Sequence, residues 1–470
     1  MFPWKQQLSQ KVLPIHKLIA GNVYISTGGA SYKSRAFLMK LLQTVQEECA
    51  RIRQRLCHHH HQDPQREQEQ EQERSTIVLA HAFADPCYNR SSFHLAGTSE
   101  AVAQVSSLIA RLALQHDNEE NYRKSNSNYG STNSTAHPYV GFVDHIAFMP
   151  LLLPQNNEAV SFFLQNQALL GNHNSNKNNN TTNIGIDPHQ QHHSCSQAAK
   201  YVGEYLSKDM GCVVHYYGSA SVDNAPLSKV RKERTTFFQS GSLASSQPLP
   251  LLTTTSICSS TVSSTTSRSG SDNNNEKPIV TCVGSPFNFV ENFNVRLSAK
   301  EANTDTTTTS TTTAFTSSTV ASIGKRGAMS LCRTLRERDG GLEGVEALTL
   351  PYDDSTSSTA SISSSCDGKS STSGSTWEVA CNLLSPYNSM GKSRKEDICQ
   401  KTMEWLLQYN TNNPNNSITI EDMYSVGTTQ EQCLNCLLLV LLEDMEEPTA
   451  AIYTHDETIS NQFKTYLHKK

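Results

Sequence analysis

The sequence predicts an α/β fold built in two halves. Two observations carry this reading. Apolar runs of strand length alternate with segments of helical period, and a Ser/Thr-rich tract at 239–277 divides the alternation into two series. Strands followed by helices are the pattern of layered α/β architecture.

The first series opens with a short strand at 23–26. A helix follows at 34–53, with Phe37, Leu38, Leu41, Leu42 and Val45 on one side. An apolar strand is expected at 76–82. The helix at 99–114 carries Val102, Val105, Leu108, Ile109 and Leu112 as its stripe, with Ser99 as its N-cap. A strand at 139–148, a helix at 195–206 and a strand at 213–217 complete this half. The second half offers strands at 278–283, 289–297, 344–350 and 377–383. Helices are expected near 327–338 and at 428–443. Strands 76–82, 139–148 and 213–217 should share one sheet; 289–297, 344–350 and 377–383 should share another.

Composition sets the limits. Hydrophobic residues make up 36% of the 470, against about 45–50% in ordinary globular chains. The shortfall lies in six polar tracts at 58–74, 116–135, 171–194, 239–277, 303–323 and 354–375. These cannot bury enough apolar surface to offset their ordering entropy and read as loops. The expected partition is an extension at 1–21, a first subdomain at 22–238, the linker 239–277, a second subdomain at 278–445 and a tail at 446–470.

The net charge of −5 favours neither nucleic acid nor a membrane surface. No apolar run approaches the ~18 residues of a membrane span. Thirteen scattered cysteines read as reduced thiols of a cytoplasmic protein. Lys5, Lys11 and Lys17 precede the first acid, Glu47, as in an organellar presequence; the absence of Arg before Arg35 favours the cytoplasmic reading. Cys433 and Cys436 form a lone C-x-x-C with no second pair at zinc-ligand spacing, and His58–His61 stand in a biased tract. No metal is expected.

Eight blocks in order carry a resemblance. They read NVYIS at 22–26, DPCYNRSSFHL at 85–95, HPYVGFVDHIAF at 137–148, VVHYYGSA at 213–220, NFNVRLSAKE at 292–301, RDGGLEGVEALTL at 338–350, WEVACNLLSP at 377–386 and YSVGTTQEQ at 424–432. Together they resemble the formiminotransferase family, above all its shorter plant-type members. That resemblance implies two subdomains, each a mixed sheet covered by helices, with a substrate groove between them, usually in a homodimer. It implies transfer of a formimino group from N-formimino-L-glutamate to N5 of tetrahydrofolate, with folate as co-substrate. A non-catalytic relative binding folate or a protein partner is the alternative. The sequence departs from the family where Tyr139 stands in place of an Arg, where Ser26-Thr27-Gly28 replaces S-E-G, and where 239–277 occupies the place of a folate-contacting loop.

The transfer needs one nitrogen relieved of a proton and another given one, a task suited to histidine near neutral pH. The resemblance places His137 in this role; a structural histidine before a strand is the bland alternative. Pro138 biases His137 to an extended backbone. Asp144 lies about 23 Å from His137 along a straight strand, so a structural role is expected for it, and a His137–His145 metal pair is excluded on the same ground. Arg90 suits a substrate carboxylate, or a surface salt bridge. Asn89, Asn294 and Asn382 offer amides that donate and accept, as a pterin requires, or cap strand ends. Tyr139, Gly141 and Gly218 complete the expected binding set, with both glycines admitting close approach.

Overall fold

The computed structural model describes residues 15–27, 29, 31–58, 75–125, 140–151, 188–234, 279–299, 317–352, 376–384, 394–414, 416–443 and 450–468. Strands β1 (Leu18–Ile25), β2 (Ile77–Asp85), β3 (Arg90–Thr98), β4 (Val143–Pro150), β5 (Val213–Gly218) and β6 (Val280–Ser285) form one sheet in the order β2-β3-β1-β4-β6-β5. It is mixed: β6 runs parallel to β4 and β5, while β1, β2, β3 and β4 pair antiparallel. Strands β7 (Val290–Ala299), β8 (Val345–Tyr352), β9 (Thr376–Leu384) and β10 (Ile418–Val426) form a second sheet in the order β10-β7-β9-β8. This one is wholly antiparallel rather than mixed. Both expected strand trios fall together in their sheets.

Alternation along each strand decides the faces. On β1, Ile19, Val23 and Ile25 point to the first core, which α1 (Tyr32–His58), α2 (Ser99–Ser125) and α3 (Pro188–Met210) close. Leu18 and Ala20 point the other way, under α7 (Gln430–Glu443), whose Cys433, Leu434, Leu437 and Val440 cover them. In the second sheet, Phe293, Val295, Leu297, Val379, Cys381 and Leu383 face α5 (Ser317–Leu335) and α6 (Arg394–Asn412). Each such buried Leu, Val or Phe contributes about 1.5–3 kcal/mol relative to exposure.

Local signals fix the helix starts. The Ser34 amide donates to Ser31 Oγ and the Ser31 amide to Ser34 Oγ, a reciprocal cap on α1. Thr429 and Gln432 repeat this on α7, the Gln432 amide donating to Thr429 Oγ1 and the Thr429 amide to Gln432 Oε1.

Several expectations are corrected. The strand expected at 278–283 as the start of the second half is β6, a strand of the first sheet between β4 and β5. Its Val283 joins the first core and its Cys282 the opposite face, so both its surfaces belong there. The helix at 428–443, assigned to the second subdomain, covers the first sheet instead. The tail expected at 446–470 holds α8 (Ala450–His468), whose Ile459, Phe463 and Leu467 enter the first core. His455 Nε2 of that helix lies 3.1 Å from the Leu79 carbonyl on β2. Residues 188–194 and 317–323, expected in polar tracts, begin α3 and α5. No helix among the described residues is long and apolar enough to cross a membrane.

Candidate functional site

The two sheets meet through polar side chains. On β1 the outward face changes character along the strand, from Leu18 and Ala20 to Asn22 and Tyr24. β3 does the same, from Ala96 to His94, Ser92 and Arg90, and β4 from Met149 and Ala147 to His145. The register sets Asn22 between His94 and Ala147, and Tyr24 between Ser92 and His145. The apolar ends share a buried cluster with α7. The polar ends face β7, β9 and β10, where Asn292, Asn294, Arg296, Glu378 and Tyr424 stand on the side away from the helices.

Contacts across the junction are specific. Asn292 Nδ2 donates to the Tyr24 hydroxyl at 3.1 Å. Tyr88, Leu350 and Tyr352 pack together, the two tyrosine rings edge to face at 5.3 Å. Gly427, at φ 81°, lies against His94; a Cβ there would stand 2.5 Å from the imidazole.

At its centre is Glu378, fully buried. It accepts from Asn294 Nδ2 at 2.6 Å and from the Tyr424 hydroxyl, and Arg296 stands 3.7 Å away. Burial raises its carboxyl above the ordinary value, against Tyr424, Arg90 and Arg296, which lower it. The Arg296 guanidinium lies over the Tyr352 ring at 3.7 Å, a cation–π contact. Arg90 stacks on Tyr88 at 4.9 Å and faces the negative charge of Asp85 and Glu378.

A second cluster is made by a β-bulge. Tyr24 pairs with His145 and Ile25 with Val143, so Asp144 is an extra residue on β4. A bulge breaks the alternation that would send neighbours to opposite faces. Asp144 and His145 therefore meet, with Asp144 Oδ2 3.0 Å from His145 Nδ1. Arg231, on the short helix α4 (Leu227–Arg234), pairs with Asp144, and its Nη2 stands 3.0 Å from His145 Nδ1. Burial pushes the Asp144 carboxyl up, but Arg231, His145 and the Val140 amide together hold it well below the usual carboxylate range. The His145 ring stacks on Tyr24 at 4.1 Å with 12° between planes.

The expected site residues fare differently. His137 and Tyr139 lie outside the described residues. Arg90 and Asn294 converge on Glu378 from the two sheets. Asn89 sits in the β2–β3 turn at φ 49°, a left-handed position that asparagine tolerates. Asn382 is exposed on β9, beside Asn292 and Glu346. The two glycines admit backbone, not ligand, where a side chain would go. A Cβ on Gly141 would meet the Val280 carbonyl at 2.0 Å, and one on Gly218, at φ 60°, the Ser285 carbonyl at 1.9 Å.

No protein-family model matches the chain, and no curated protein matches it. The site therefore stands on its own geometry.

Sequence reasoning missed Tyr24, His94, Asn292, Arg296, Glu378, Tyr424 and Arg231, and set His145 aside. The signal for most of them was polarity at inward strand positions. Asn294 and Arg296 interleave with Phe293, Val295 and Leu297 at period 2, which marks a strand polar on one whole face. Among the described residues, Asn22 Oδ1, His94 Nδ1 and Arg296 Nε are buried at the junction without a protein partner, the first two on directly paired residues. His94 Nε2 and the Ser92 hydroxyl are 2.9 Å apart. With Nε2 accepting from that hydroxyl, Nδ1 carries the proton and the pair presents one donor and one acceptor.

Proposed function

We propose that this chain is a folate-dependent formimidoyltransferase. It would move a formimino group from N-formimino-L-glutamate to N5 of tetrahydrofolate. The observation that carries the reading is the junction itself: two helix-backed sheets opposed through polar faces, with Arg90 and Asn294 of the resembling blocks meeting at Glu378. Polar faces buried between sheets cost stability unless paired, and a ligand-binding role accounts for keeping them.

The residues suit both substrates in kind. Asn22, His94, Asn292 and Asn294 offer donors and acceptors of the sort a pterin edge needs. Arg90 offers a guanidinium for a carboxylate. His137 supplies the acid–base group by resemblance. Asn382, being exposed, and Gly141 and Gly218, being filled by backbone, contribute less to binding in this reading. A homodimer and a cytoplasmic location belong to the same proposal.

A second reading is favoured by Glu378. It already engages Asn294, Tyr424 and Arg296, an arrangement that also suits a non-catalytic relative that binds folate or a protein partner. The test is formation of 5-formiminotetrahydrofolate from the two substrates, beside calorimetric titration with tetrahydrofolate. Binding with turnover supports the enzyme. Binding without turnover supports the second reading, and the absence of both refutes the folate proposal.

A further inference from the structure

We infer that His145 is the base that accepts the proton of the attacking nitrogen, with Asp144 and Arg231 as its positioning residues. The inference rests on the transferase reading above and adds a residue that the resemblance does not supply. His145 stands where the family-like block reads on past its aspartate, and sequence reasoning assigned it no role.

The geometry is that of a held imidazole. The β4 bulge turns Asp144 to the same side as His145. With Nδ1–H donating to Asp144 Oδ2 at 3.0 Å, the lone pair is on Nε2; Arg231, paired with the same carboxylate oxygen, stands 3.0 Å from Nδ1. The other carboxylate oxygen, Oδ1, accepts the Val140 amide at 2.8 Å, which anchors the carboxylate to the chain before β4. Tyr24 stacks on one ring face. Nδ1 is thus occupied and the ring plane fixed, while no described group bonds Nε2 and the side chain keeps 15% of its surface open. Bulges of this kind re-aim side chains beside active sites. An imidazole with one nitrogen held and the other presented is the form a positioned proton carrier takes.

The step balances as follows. The N5 lone pair of tetrahydrofolate attacks the formimino carbon, forming the N–C bond, and the C=N π pair moves to the imino nitrogen. His145 Nε2 takes the N5 proton. The C=N bond then re-forms and the bond to the glutamate nitrogen breaks. That nitrogen leaves with a proton from the acid of the site, His137 in this reading. Water returns each histidine to its starting state, so one proton is taken and one given.

Charged and titratable groups face His145 from each neighbouring element: Asp144 on β4, Arg231 on α4, Arg90 and His94 on β3, Tyr24 on β1 and Cys282 on β6. Burial lowers its pKa below the ordinary value; Arg231 lowers it further and Asp144 raises it. The two neighbours therefore pull the acid limb of kcat/KM in opposite directions.

The test compares wild type with His145→Gln, Asp144→Asn and Arg231→Gln in 5-formiminotetrahydrofolate formation over about pH 5–9, with tetrahydrofolate affinity measured for each. His145→Gln should lower kcat by about 10²–10⁴-fold while affinity changes far less. Arg231→Gln should move the acid limb to higher pH and Asp144→Asn to lower pH. A merely structural role would move neither limb. If a charge variant fails to fold, His145→Gln decides alone. An active wild type beside an equally active His145→Gln overturns this role and leaves the transferase reading intact. A wild type that binds tetrahydrofolate but transfers nothing overturns both.

Discussion

Acidification tests the histidines of the first sheet through the half-buried His81. This side chain on β2 lies 5.8 Å from His94, ring to ring, and contacts Tyr466 of α8. Burial, with the charge of His455 adding to it, lowers its pKa from 6.5 to about 4. The sign follows from linkage. In the unfolded chain His81 takes a proton near its ordinary pKa, whereas the folded chain resists until about 4. Its contribution is therefore fully present above about pH 6.5 and is lost as pH falls toward 4. Between about pH 7.5 and pH 4.5 the loss is about 2.5 kcal/mol. At an m-value of roughly 2–3 kcal/mol/M that is a fall of about 1 M in urea midpoint. Glu378, Glu291 and Asp456 have raised carboxyl pKa values and oppose the trend, so the raw curve mixes both signs. His81→Gln isolates the histidine. Its stability should fall by about 2.5 kcal/mol less than that of wild type over the same interval. His94, lowered in the same direction by burial and by His81 and His145, remains in both proteins. Equal pH dependence in the two would refute the reasoning.

Three further outcomes are expected. Gly427→Ala places a methyl 2.5 Å from His94 at φ 81°, and should cost about 2–4 kcal/mol from backbone strain and overpacking; a denaturation curve within ~0.5 kcal/mol of wild type would contradict it. Arg90→Gln should weaken tetrahydrofolate or formiminoglutamate binding by about 10–100-fold, the worth of a charged hydrogen bond; unchanged calorimetric affinities would restrict Arg90 to its partners Asp85 and Glu378. His137→Ala should lower turnover by about 10²–10⁴-fold with far less change in folate affinity; a stability loss without a specific turnover defect would make His137 structural.

Local features of the fold were legible because they rest on period and capping. The stripe of α2 and the alternation of β7 are written in single segments. Which sheet a strand joins is not. β6 follows the longest polar tract yet pairs in parallel with β4 and β5; parallel pairing is non-local and leaves no signature in the strand itself. The α8 stripe of Ile459, Phe463 and Leu467 was readable at i, i+4 and i+8, and only its distance from the resembling blocks hid it. The bulge at Asp144 was invisible for a deeper reason. Straight-strand arithmetic assumes alternation, and one unpaired residue reverses the face of everything before it. Asp144 was expected to be structural, and its bond to the Val140 amide is; its contact with His145 depends on the bulge.

The distribution of polarity along β1, β3 and β4 gives the junction its meaning. These strands had an apolar solution available, since their Leu18, Ala20, Ala96, Ala147 and Met149 end already lies in a buried apolar cluster with Cys433, Leu434, Leu437 and Val440 of α7. Extending that pattern would have given a second dry core. Instead the same face turns to Asn22, Tyr24, His94 and His145, opposed by Asn292, Asn294, Arg296 and Glu378. Pairing meets part of the cost: Tyr24 with Asn292, Asn294 and Tyr424 with Glu378, Asp144 with Arg231. Among the described residues it is incomplete at Asn22 Oδ1, His94 Nδ1 and Arg296 Nε, and each unmet buried group costs about 1–3 kcal/mol. A face kept polar at that expense, where an apolar one begins a few residues away on the same strands, is better explained by something it binds than by the stability of the fold.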